Sequence, residues 1–354
     1  MSAARRPSVS IEKDAQRTVN ERTIKLAHGS GGVLTRRLIE ETLLKYFRSP
    51  LLASLPDSAT LPVHGGGIAF SADSYVVDPI FFPGGDIGRL AVCGTVNDLA
   101  VVGAIPRFVS CSLILEEGFP QSDLEAILAS IRDAAAEAGV EVVTGDTKVV
   151  PHGKADKLFV NTAGIGLMEP AGKTPGGPMQ AGDAVLVSGP LGDHGAAVLS
   201  RREGLGLQGS LASDCAPVTG IAQAALRTAA RVPFMRDVTR GGLATILNEA
   251  VSGSQLGILL AEQDIPFRAE VRSICELLGL DPLYLACEGR VAAVVDADSA
   301  DKVVEAVRNA RGGEGCRIIG RVCEQYAGQL VAETPFGTRR LIQMLSGEQL
   351  PRIC

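Results

Sequence analysis

The segment Leu90–Ala104, LAVCGTVNDLAVVGA, is the longest apolar run of the sequence and carries two adjacent polar side chains, Asn97 and Asp98. This pair interrupts the run well short of the about 18 apolar residues that a membrane span requires. We therefore predict a buried helix in a protein that does not enter a membrane. Burying both polar side chains without partners would cost on the order of several kcal/mol. We expect a bound cation or a hydrogen-bonded network to remove that cost.

Strand and helix patterns alternate on both sides of a segment rich in glycine and proline, Gly172–Gly182 (GKTPGGPMQAG). Such a segment is typical of a linker, and a chain of 354 residues fits two domains. The alternation predicts an α+β fold, in mixed α/β order, for both halves. The pattern is carried by predicted strands at Ser71–Asp78, Val140–Asp146, Ala184–Ser188 and Arg290–Asp296 and by predicted helices at Thr239–Val251 and Ser299–Ala310.

We divide the chain at this linker and at the changes of composition near its ends. The predicted units are a polar N-terminal extension (1–27), an N-terminal domain (28–170), the linker (171–182), a C-terminal domain (183–330) and a tail (331–354). The tail is polar and is interrupted by glycine and proline, so we expect it to be flexible and not packed. The extension has no apolar segment of the kind found in a secretion signal.

Composition excludes several classes of protein. Apolar residues make up 46% of the chain, which argues against a disordered protein. The net charge of -6 and the absence of tryptophan argue against nucleic-acid binding. None of the eight cysteines is spaced C-x-x-C, so the sequence has neither a zinc knuckle nor a thioredoxin motif. Without a secretion signal, we expect reduced thiols in a cytoplasmic protein.

The glycine-rich segments do not match the common nucleotide-binding motifs. Gly172-Lys173-Thr174 looks like the end of a Walker A motif, but Leu167 stands where that motif has its first glycine, and Pro175 follows. The G-x-G-x-x-G fingerprint is also absent from the sequence. A nucleotide would therefore have to bind by another scheme.

Four aspartates suggest such a scheme: Asp73, Asp98, Asp146 and Asp237, each in or beside a predicted strand or helix. Hard cations such as Mg²⁺ bind carboxylate oxygens and complete their coordination with water and phosphate. Lys148, close to Asp146, is a further charged candidate at the same place. For each aspartate alone, capping a turn or ending a strand is an equally good explanation.

The other polar candidates have ordinary explanations as well. Glu288 lies in the phrase A-C-E-G-R between apolar runs, where it is either a turn residue or a poised base, and spacing alone favours the turn. The four histidines, at 28, 64, 152 and 194, are expected to be loop or core residues because no nucleophile motif accompanies them. Neither residue type defines an active site by its pattern.

The last residue of the chain, Cys354, differs from the other seven cysteines. Those lie in apolar patterns, where cysteine behaves as a small hydrophobic residue. Cys354 ends the predicted tail, so its thiol is able to reach other groups. It is either an accidental terminal cysteine or a nucleophilic or carrier thiol on a mobile arm.

Several parts of the sequence together resemble the HypE family, the carbamoyl dehydratases of NiFe-hydrogenase maturation. The C-terminal PRIC sequence is the most specific of them, and the resemblance runs from about residue 28 to the end of the chain. The matching segments are His28–Gly32 (HGSGG), Val76–Ala104 (VVDPIFFPGGDIGRLAVCGTVNDLAVVGA), Val142–Val150 (VVTGDTKVV), Arg236–Gly242 (RDVTRGG) and Pro351–Cys354. The family belongs to the superfamily of aminoimidazole ribonucleotide synthetase, selenophosphate synthetase and thiamine-monophosphate kinase.

The resemblance implies a two-domain fold like that of aminoimidazole ribonucleotide synthetase. Its N-terminal sheet would form a barrel with the sheet of a second copy in a homodimer, and its C-terminal domain would be α+β. ATP would bind in a cleft, together with Mg²⁺. The implied ATP contacts are Gly29, Ser30, Gly31, Gly32, Asn97, Asp98, Thr147 and Lys148, and the implied Mg²⁺ ligands are Asp73, Asp98, Asp146 and Asp237.

The implied function makes Cys354 a carrier. A HypF-type carbamoyltransferase would load its sulfur with a carboxamide, which this protein would dehydrate to a thiocyanate at the expense of ATP. The cyanide would then pass to iron on a HypC–HypD complex. Lys148 would stabilise charge at the γ-phosphate, and Glu288 would act as the base. The resemblance implies asparagine before this glutamate, and the sequence departs from it with Cys287.

Two other functions compete with this one. A sibling ATP-dependent synthetase or kinase would act on a free small molecule and would not need Cys354. A non-catalytic assembly protein would use the terminal cysteine to dock a metal or a partner and would not hydrolyse ATP. ATPase activity with and without a carbamoylated Cys354 distinguishes the three.

Overall fold

The computed structural model describes residues 32–43, 58–63, 66–169, 172–205, 211–345, 350 and 352–354. These residues form two halves, each built from a sheet and helices, on either side of the segment between Met168 and Ala184. The predicted two-domain α+β fold is confirmed to this extent. Among the helices described in these ranges, none is both long and apolar enough to cross a membrane.

The N-terminal half is built on a mixed sheet. Its elements are α1 (Val33–Leu38), β1 (Ala59–Val63), β2 (Gly66–Tyr75), β3 (Phe81–Phe82), β4 (Gly85–Asp86), α2 (Ile87–Val101), β5 (Ile105–Glu116), α3 (Gln121–Ala138), β6 (Glu141–Val150) and β7 (Leu158–Met168). The strand order in the described residues is β1–β2–β7–β5–β6, with β5 and β6 parallel and the other neighbours antiparallel. Helices α2 and α3 pack together, and α2 also contacts β2 and β7.

The apolar run of the sequence forms helix α2, as predicted. The helix begins after Asp86, whose side chain accepts hydrogen bonds from the N–H groups of Gly88 and Arg89 at 2.7 and 3.0 Å. It is apolar on nearly every side because it lies between the N-terminal sheet and the C-terminal half. Asn97 and Asp98 therefore lie at the junction of the two halves.

The C-terminal half contains a second sheet with helices on both faces. Its elements are β8 (Ala184–Val187), α4 (Asp193–Arg202), α5 (Thr219–Thr228), β9 (Phe234–Asp237), α6 (Gly242–Val251), β10 (Gly257–Ala261), α7 (Ala269–Leu278), β11 (Val291–Val295), α8 (Ala300–Arg308), β12 (Arg317–Cys323), β13 (Leu330–Glu333) and β14 (Arg339–Ile342). The strand order in the described residues is β14–β13–β10–β12–β8–β11–β9. Residues of β8 and β11 pack alternately toward α6 and toward α5 and α8, which explains their uninterrupted apolar sequences.

The prediction of a flexible tail over 331–354 is wrong as far as Ile342, because this stretch supplies two strands of the sheet. Strand β13 pairs in parallel with β10, and β14 pairs with β13 in an antiparallel hairpin. Ala332 is fully buried, and Gly337, at a φ of 79°, lies in the hairpin turn. The glycine and proline of this stretch thus mark a turn between two short strands and not the start of a free tail.

Candidate active site

The end of the chain is packed between the two halves. The N–H of Val76 donates to the carbonyl oxygen of Cys354, and the N–H of Asp78 donates to that of Arg352, both at 3.2 Å. The side chain of Ile353 is 3% exposed and packs into the core of the N-terminal half. The predicted mobile arm is therefore docked in this structure, and docking fixes the place of the Cys354 thiol.

Charged side chains from both halves surround this thiol, and we call Asp73, Asp237 and Glu288 the acid cluster. Burial is the main reason that the pKa of Cys354 rises to about 12; Arg240 opposes the rise, and the acid cluster adds to it. Cys354 in turn raises the pKa of Arg240. The thiol is therefore protonated at neutral pH in the docked position.

Glu288 lies buried in the loop before β11, on the C-terminal side of the cleft. Burial raises the pKa of its carboxyl well above the usual value, and the nearby Asp237 and Asp214 raise it further. In the described part of the chain its Oε1 has no hydrogen-bond partner. A raised pKa makes the ionised form of this carboxyl a stronger base, and its unpartnered oxygen is suited to accept a proton from a group carried on the nearby thiol.

The backbone on both sides of Glu288 is held by specific hydrogen bonds. Its N–H donates to Oδ1 of Asp214 at 3.1 Å. The preceding residue, Cys287, is fully buried, and its Sγ accepts a hydrogen bond from the N–H of Gly192 at 3.1 Å. Cys287 thus provides a hydrogen-bond acceptor for the backbone of the neighbouring loop.

The side chain of Asn97 connects the two halves. Its Nδ2 donates to the carbonyl oxygens of Ala216 at 3.1 Å and Glu288 at 3.2 Å, and its Oδ1 accepts from the N–H of Val218 at 2.8 Å. The sequence left a cation or a hydrogen-bonded network as alternatives for this position, and the network is what surrounds Asn97. Its amide is engaged by protein groups at the site where an ATP contact was expected.

Asp73 and Asp98 lie where β2 packs against α2. The hydroxyl of Ser71 donates to Oδ2 of Asp98 at 2.7 Å, and the hydroxyl of Tyr75 lies 3.5 Å from Oδ2 of Asp73 and from Oγ1 of Thr95. Burial raises the pKa of Tyr75 well above its usual value, so it stays a hydrogen-bond donor. These contacts hold both carboxylates in place between β2 and α2.

The donor set fits a magnesium ion that arrives with a nucleotide. Within the ranges described above, no three His, Cys, Asp or Glu side chains are arranged as a preformed metal site. Mg²⁺ commonly takes only one or two protein carboxylates and completes its shell with phosphate oxygens and water. Asp73 and Asp237 provide carboxylates of this kind near the docked thiol, and Asp98 provides one beside Ser71 of β2.

Asp146 was expected at the end of a strand but lies inside β6, which continues to Val150. It forms an exposed ion pair with Lys148, with 2.8 Å between the charged atoms, and also accepts from the N–H of Thr147 at 2.8 Å. The hydrogen bond from Lys148 is the main cause of the lowered pKa of Asp146. These three predicted site residues thus satisfy one another on an edge strand.

The structure does not bring Asp146 to the acid cluster of its own chain. Asp146 pairs with Ser112 of β5, which pairs in turn with Asn161 of β7, whereas Asp73 pairs with the next residue of β7, Thr162. Because successive residues of a strand face opposite ways, the two aspartates point to opposite faces of the sheet. They are also three strands apart, about 14 Å at the usual spacing. The predicted group of four metal-binding aspartates is therefore not assembled within one chain.

The glycine-rich segment at the start of the predicted N-terminal domain is only partly visible. Gly29, Ser30 and Gly31 lie outside the described residues, and Gly32 is buried directly before α1. The predicted ATP contacts of the first three are untested by the geometry.

Sequence reasoning missed two residues that matter at this site. Arg240, whose positive charge lies near the Cys354 thiol, is the second arginine of RDVTRGG, and nothing else in that phrase indicated its role. His194 was expected in a loop or the core. It lies at the start of α4 and forms a hydrogen bond with the carbonyl oxygen of Ile353, next to Cys354. No sequence pattern connects residues this far apart.

Two family models match the chain: AIR synthase related protein, N-terminal domain, over residues 56–168, and AIR synthase related protein, C-terminal domain, over residues 180–333. Among curated proteins, carbamoyl dehydratase HypE of Escherichia coli is 46% identical over 336 residues, covering 94% of this chain and 99% of that protein. Carbamoyl dehydratase HypE of Cupriavidus necator is 43% identical over 350 residues, covering 98% and 100%.

Solved structures show the same likeness in three dimensions. A chain of a HypE–HypF complex matches with a TM-score of 0.81 and 41% identity, over 87% of this chain and 99% of that one. Hydrogenase maturation protein HypE in complex with ATP matches with a TM-score of 0.78 and 47% identity, over 94% and 100%. The likeness therefore covers both halves.

Proposed function

We propose, because this chain belongs to the HypE family of carbamoyl dehydratases within the AIR synthase related proteins, that it removes water from a carboxamide on the sulfur of Cys354 at the expense of ATP. The carried group changes from S–C(=O)–NH₂ to S–C≡N. The cyanide would become a ligand of the iron centre of a NiFe hydrogenase. The enzyme class predicted from the sequence is confirmed by the family.

One observation carries the proposal for the site. The thiol of the last residue is docked beside a buried carboxyl, Glu288, and beside the other members of the acid cluster. A substrate carried on Cys354 would be delivered by the chain itself, without a diffusing encounter. A thiol with a purely structural role would not need to lie beside these acidic side chains, whereas a substrate carrier would.

ATP would supply the phosphoryl group that turns the carboxamide oxygen into a leaving group. We assign its magnesium ion to Asp73 and Asp237, which lie near the docked thiol, and to Asp98, which Ser71 holds where β2 packs against α2. The ATP-bound relative supports a nucleotide in this family fold. Gly29, Ser30, Gly31 and Gly32 remain proposed phosphate contacts.

The side chains of the cleft would then handle the protons and the charge. Glu288 would accept the N–H proton of the carried group, since its Oε1 is buried and unpartnered within the described residues. Asn97 would keep the Glu288 backbone in place from the other half. Arg240 would provide positive charge beside the sulfur. Phosphorylation of the carboxamide oxygen releases one N–H proton to water and gives S–C(OPO₃²⁻)=NH. Loss of the second N–H proton to Glu288, with departure of phosphate, leaves the carbon–nitrogen triple bond.

Partner proteins would act on Cys354 outside the cleft. In the docked position the thiol is protonated and partly buried, so we propose that the end of the chain leaves its docked position to be loaded. We propose that a HypF-type carbamoyltransferase loads it, as the solved HypE–HypF complex supports, and that a HypC–HypD complex receives the cyanide. All eight cysteines are free in the structure, which agrees with the cytoplasm as the proposed location.

A homodimer would cover the outer face of the N-terminal sheet. This face carries large apolar side chains that are exposed in the single chain, namely Phe70, Phe108, Ile114 and Leu167. Exposed apolar faces of this kind are typical of protein interfaces. We propose that two such sheets pack together as a barrel. The pair of Asp146 and Lys148 lies on the same face, so these two residues are candidates for ATP contacts across that interface. Thr147, whose side chain alternates to the opposite face, remains a proposed ATP contact.

The test compares the Glu288→Gln and Cys354→Ala variants with the wild type. Both variants should fold and bind ATP. Glu288→Gln, carbamoylated at Cys354, should form no thiocyanate, and Cys354→Ala, which has no sulfur at this position to load, should form none either. Glu314→Gln, an exposed glutamate of the same half, is the matched control and should turn over normally. Normal dehydration by Glu288→Gln would reject the base, and normal product formation by Cys354→Ala would reject the carrier.

A further inference from the structure

Helix α4 holds the docked end of the chain by the carbonyl groups that precede Cys354. His194, in its first turn, is fully buried, and its Nε2 lies 2.8 Å from the carbonyl oxygen of Ile353. Arg202, at its other end, donates to the carbonyl oxygen of Arg352 at 2.8 Å and to that of Asp78 at 2.8 Å. Two consecutive carbonyl groups of the tail are thus bound from one helix.

The protonation of His194 follows from its surroundings. Burial lowers its pKa, so the ring is neutral at pH 7. A carbonyl oxygen only accepts hydrogen bonds, so the proton must be on Nε2, and Nδ1 must accept from the Ser213 hydroxyl at 2.8 Å. The Ser213 Oγ accepts in turn from the N–H of Cys215 at 3.1 Å, which orients its own proton toward the ring.

The ring is also held against rotation. The ring of Phe82, from the N-terminal half, meets it edge to face, with 5.2 Å between centroids and 89° between planes. His194 therefore has one tautomer and one orientation, both directed at the Ile353 carbonyl. A neutral donor of this kind binds the tail by about one ordinary hydrogen bond, weak enough for the tail to be released.

We propose that His194 is a positioning residue that sets how much of the protein has its tail docked. It acts through the Ile353 carbonyl and places the next residue, Cys354, beside Glu288. The inference rests on the proposed carrier role of Cys354 only for its effect on turnover. Its effect on docking of the tail does not depend on whether Cys354 carries a substrate.

The test uses two amide variants of the full-length protein. In His194→Gln the amide nitrogen takes the place of Nε2 and still reaches the Ile353 carbonyl. In His194→Asn the shorter amide takes the place of Nδ1 and does not. The rate of iodoacetamide reaction at Cys354 is read by peptide mass spectrometry, with the half-exposed Cys323 of the same molecules as the internal reference.

We expect His194→Asn to raise the alkylation rate of Cys354 about five- to tenfold, the effect of one lost hydrogen bond, and His194→Gln to leave it near the wild-type rate. Single-turnover dehydration should fall by a similar factor in the Asn variant alone, with the KM for ATP unchanged. Equal alkylation rates in the two variants would overturn the inference. If neither variant folds, Ser213→Ala, which removes the hydrogen-bond partner of Nδ1, is used instead. It should raise the alkylation rate of Cys354, and an unchanged rate would overturn the inference.

The two arms separate this inference from the proposed function. If the wild type forms no thiocyanate, the proposed function fails, while the alkylation rates still decide whether His194 docks the tail. If alkylation rises in His194→Asn and dehydration does not fall, docking by His194 stands and its role in positioning the reacting group is rejected.

Discussion

The side-chain amide of Asn97 donates a hydrogen bond to the backbone carbonyl of Glu288, 3.2 Å away and on the other half of the molecule. The helix that carries Asn97 thus fixes the backbone of the proposed base. The adjacent Asp98 accepts a hydrogen bond from the Ser71 hydroxyl and is one ligand of the proposed magnesium site. Two neighbouring polar residues of one helix therefore have separate roles: Asn97 holds the proposed base, and Asp98 belongs to the proposed magnesium site.

Replacing Asn97 should uncouple the two halves. Asn97→Ala leaves the N–H of Val218 and the carbonyl oxygens of Ala216 and Glu288 buried without this partner, so we expect a loss of about 2–4 kcal/mol in the free energy of unfolding. Urea unfolding measures it. Asn309→Ala, at an exposed helix end, should change stability by less than about 0.5 kcal/mol. Equal losses in both variants would contradict the interdomain role.

Gly94 should tolerate no side chain because of Tyr75. A Cβ at Gly94 would lie 2.2 Å from the Tyr75 hydroxyl, which is buried near Asp73. We expect Gly94→Ala to displace Tyr75, to destabilise the protein by about 1–3 kcal/mol and to weaken ATP-dependent turnover. Gly220→Ala, in a helix where a Cβ meets nothing within 4 Å, should be neutral or stabilising by up to about 1 kcal/mol. Unfolding curves and ATPase rates check both, and a stable, active Gly94→Ala variant would refute the constraint.

His194 should make stability depend on pH. Burial lowers its pKa below the unfolded value, so the unfolded chain binds more protons as the pH falls through the unfolded pKa of about 6.5. The His194 contribution is therefore complete above that pH and is lost as the pH falls toward the folded pKa, by at most about 1.4 kcal/mol per pH unit. Asp214, which faces the ring, opposes the shift, and Asp193, with a pKa raised to about 6, titrates in the same range.

The comparison with His194→Gln isolates that contribution, because both proteins retain Asp193 and Asp214. The stability difference between wild type and variant should move in favour of the variant as the pH falls from 7.5 to about 5. Unfolding free energies at several pH values measure it. A difference independent of pH would show that the folded protein binds a proton at His194 as readily as the unfolded chain does.

The outer face of the N-terminal sheet should control oligomeric state. Phe108, 42% exposed on β5, would be buried in the proposed homodimer, so Phe108→Asp should give monomers. Leu277→Asp changes an even more exposed residue, at 66%, on α7 of the other half and should leave the dimer intact. Light scattering after size-exclusion chromatography measures the molar mass, and hence the oligomeric state, of both variants and the wild type. A dimer in both variants, or a wild-type monomer, would reject this interface.

The sequence predicted the elements whose evidence is local. The apolar run predicted α2, and its polar pair left a cation or a hydrogen-bonded network as alternatives. The motifs with the PRIC end predicted the family and the enzyme class, which are confirmed. β13 and β14 were missed because each is a strand of four residues, and arginines and a proline–glycine turn obscure the pattern.

Features that depend on distant parts of the chain could not be predicted. Whether Asp146 shares a face with Asp73 is decided by strand register, since a shift of one residue would reverse it. Docking of the tail depends on His194 and Arg202, which lie 150 or more positions from their tail partners. The sequence therefore supplied the carrier thiol but not the contacts that hold it.

Mass spectrometry of Cys354 tests the central claim most directly. Full-length protein, carbamoylated at its C-terminal cysteine, is incubated with ATP and Mg²⁺. The mass of the C-terminal peptide is measured before and after the incubation. We expect the peptide that ends in Cys354 to lose the mass of one water with ATP, and to keep its mass without ATP or in Glu288→Gln. A carboxamide that persists on Cys354 in the wild type while ATP is hydrolysed would contradict the assignment of this chain's own terminal cysteine as the carrier.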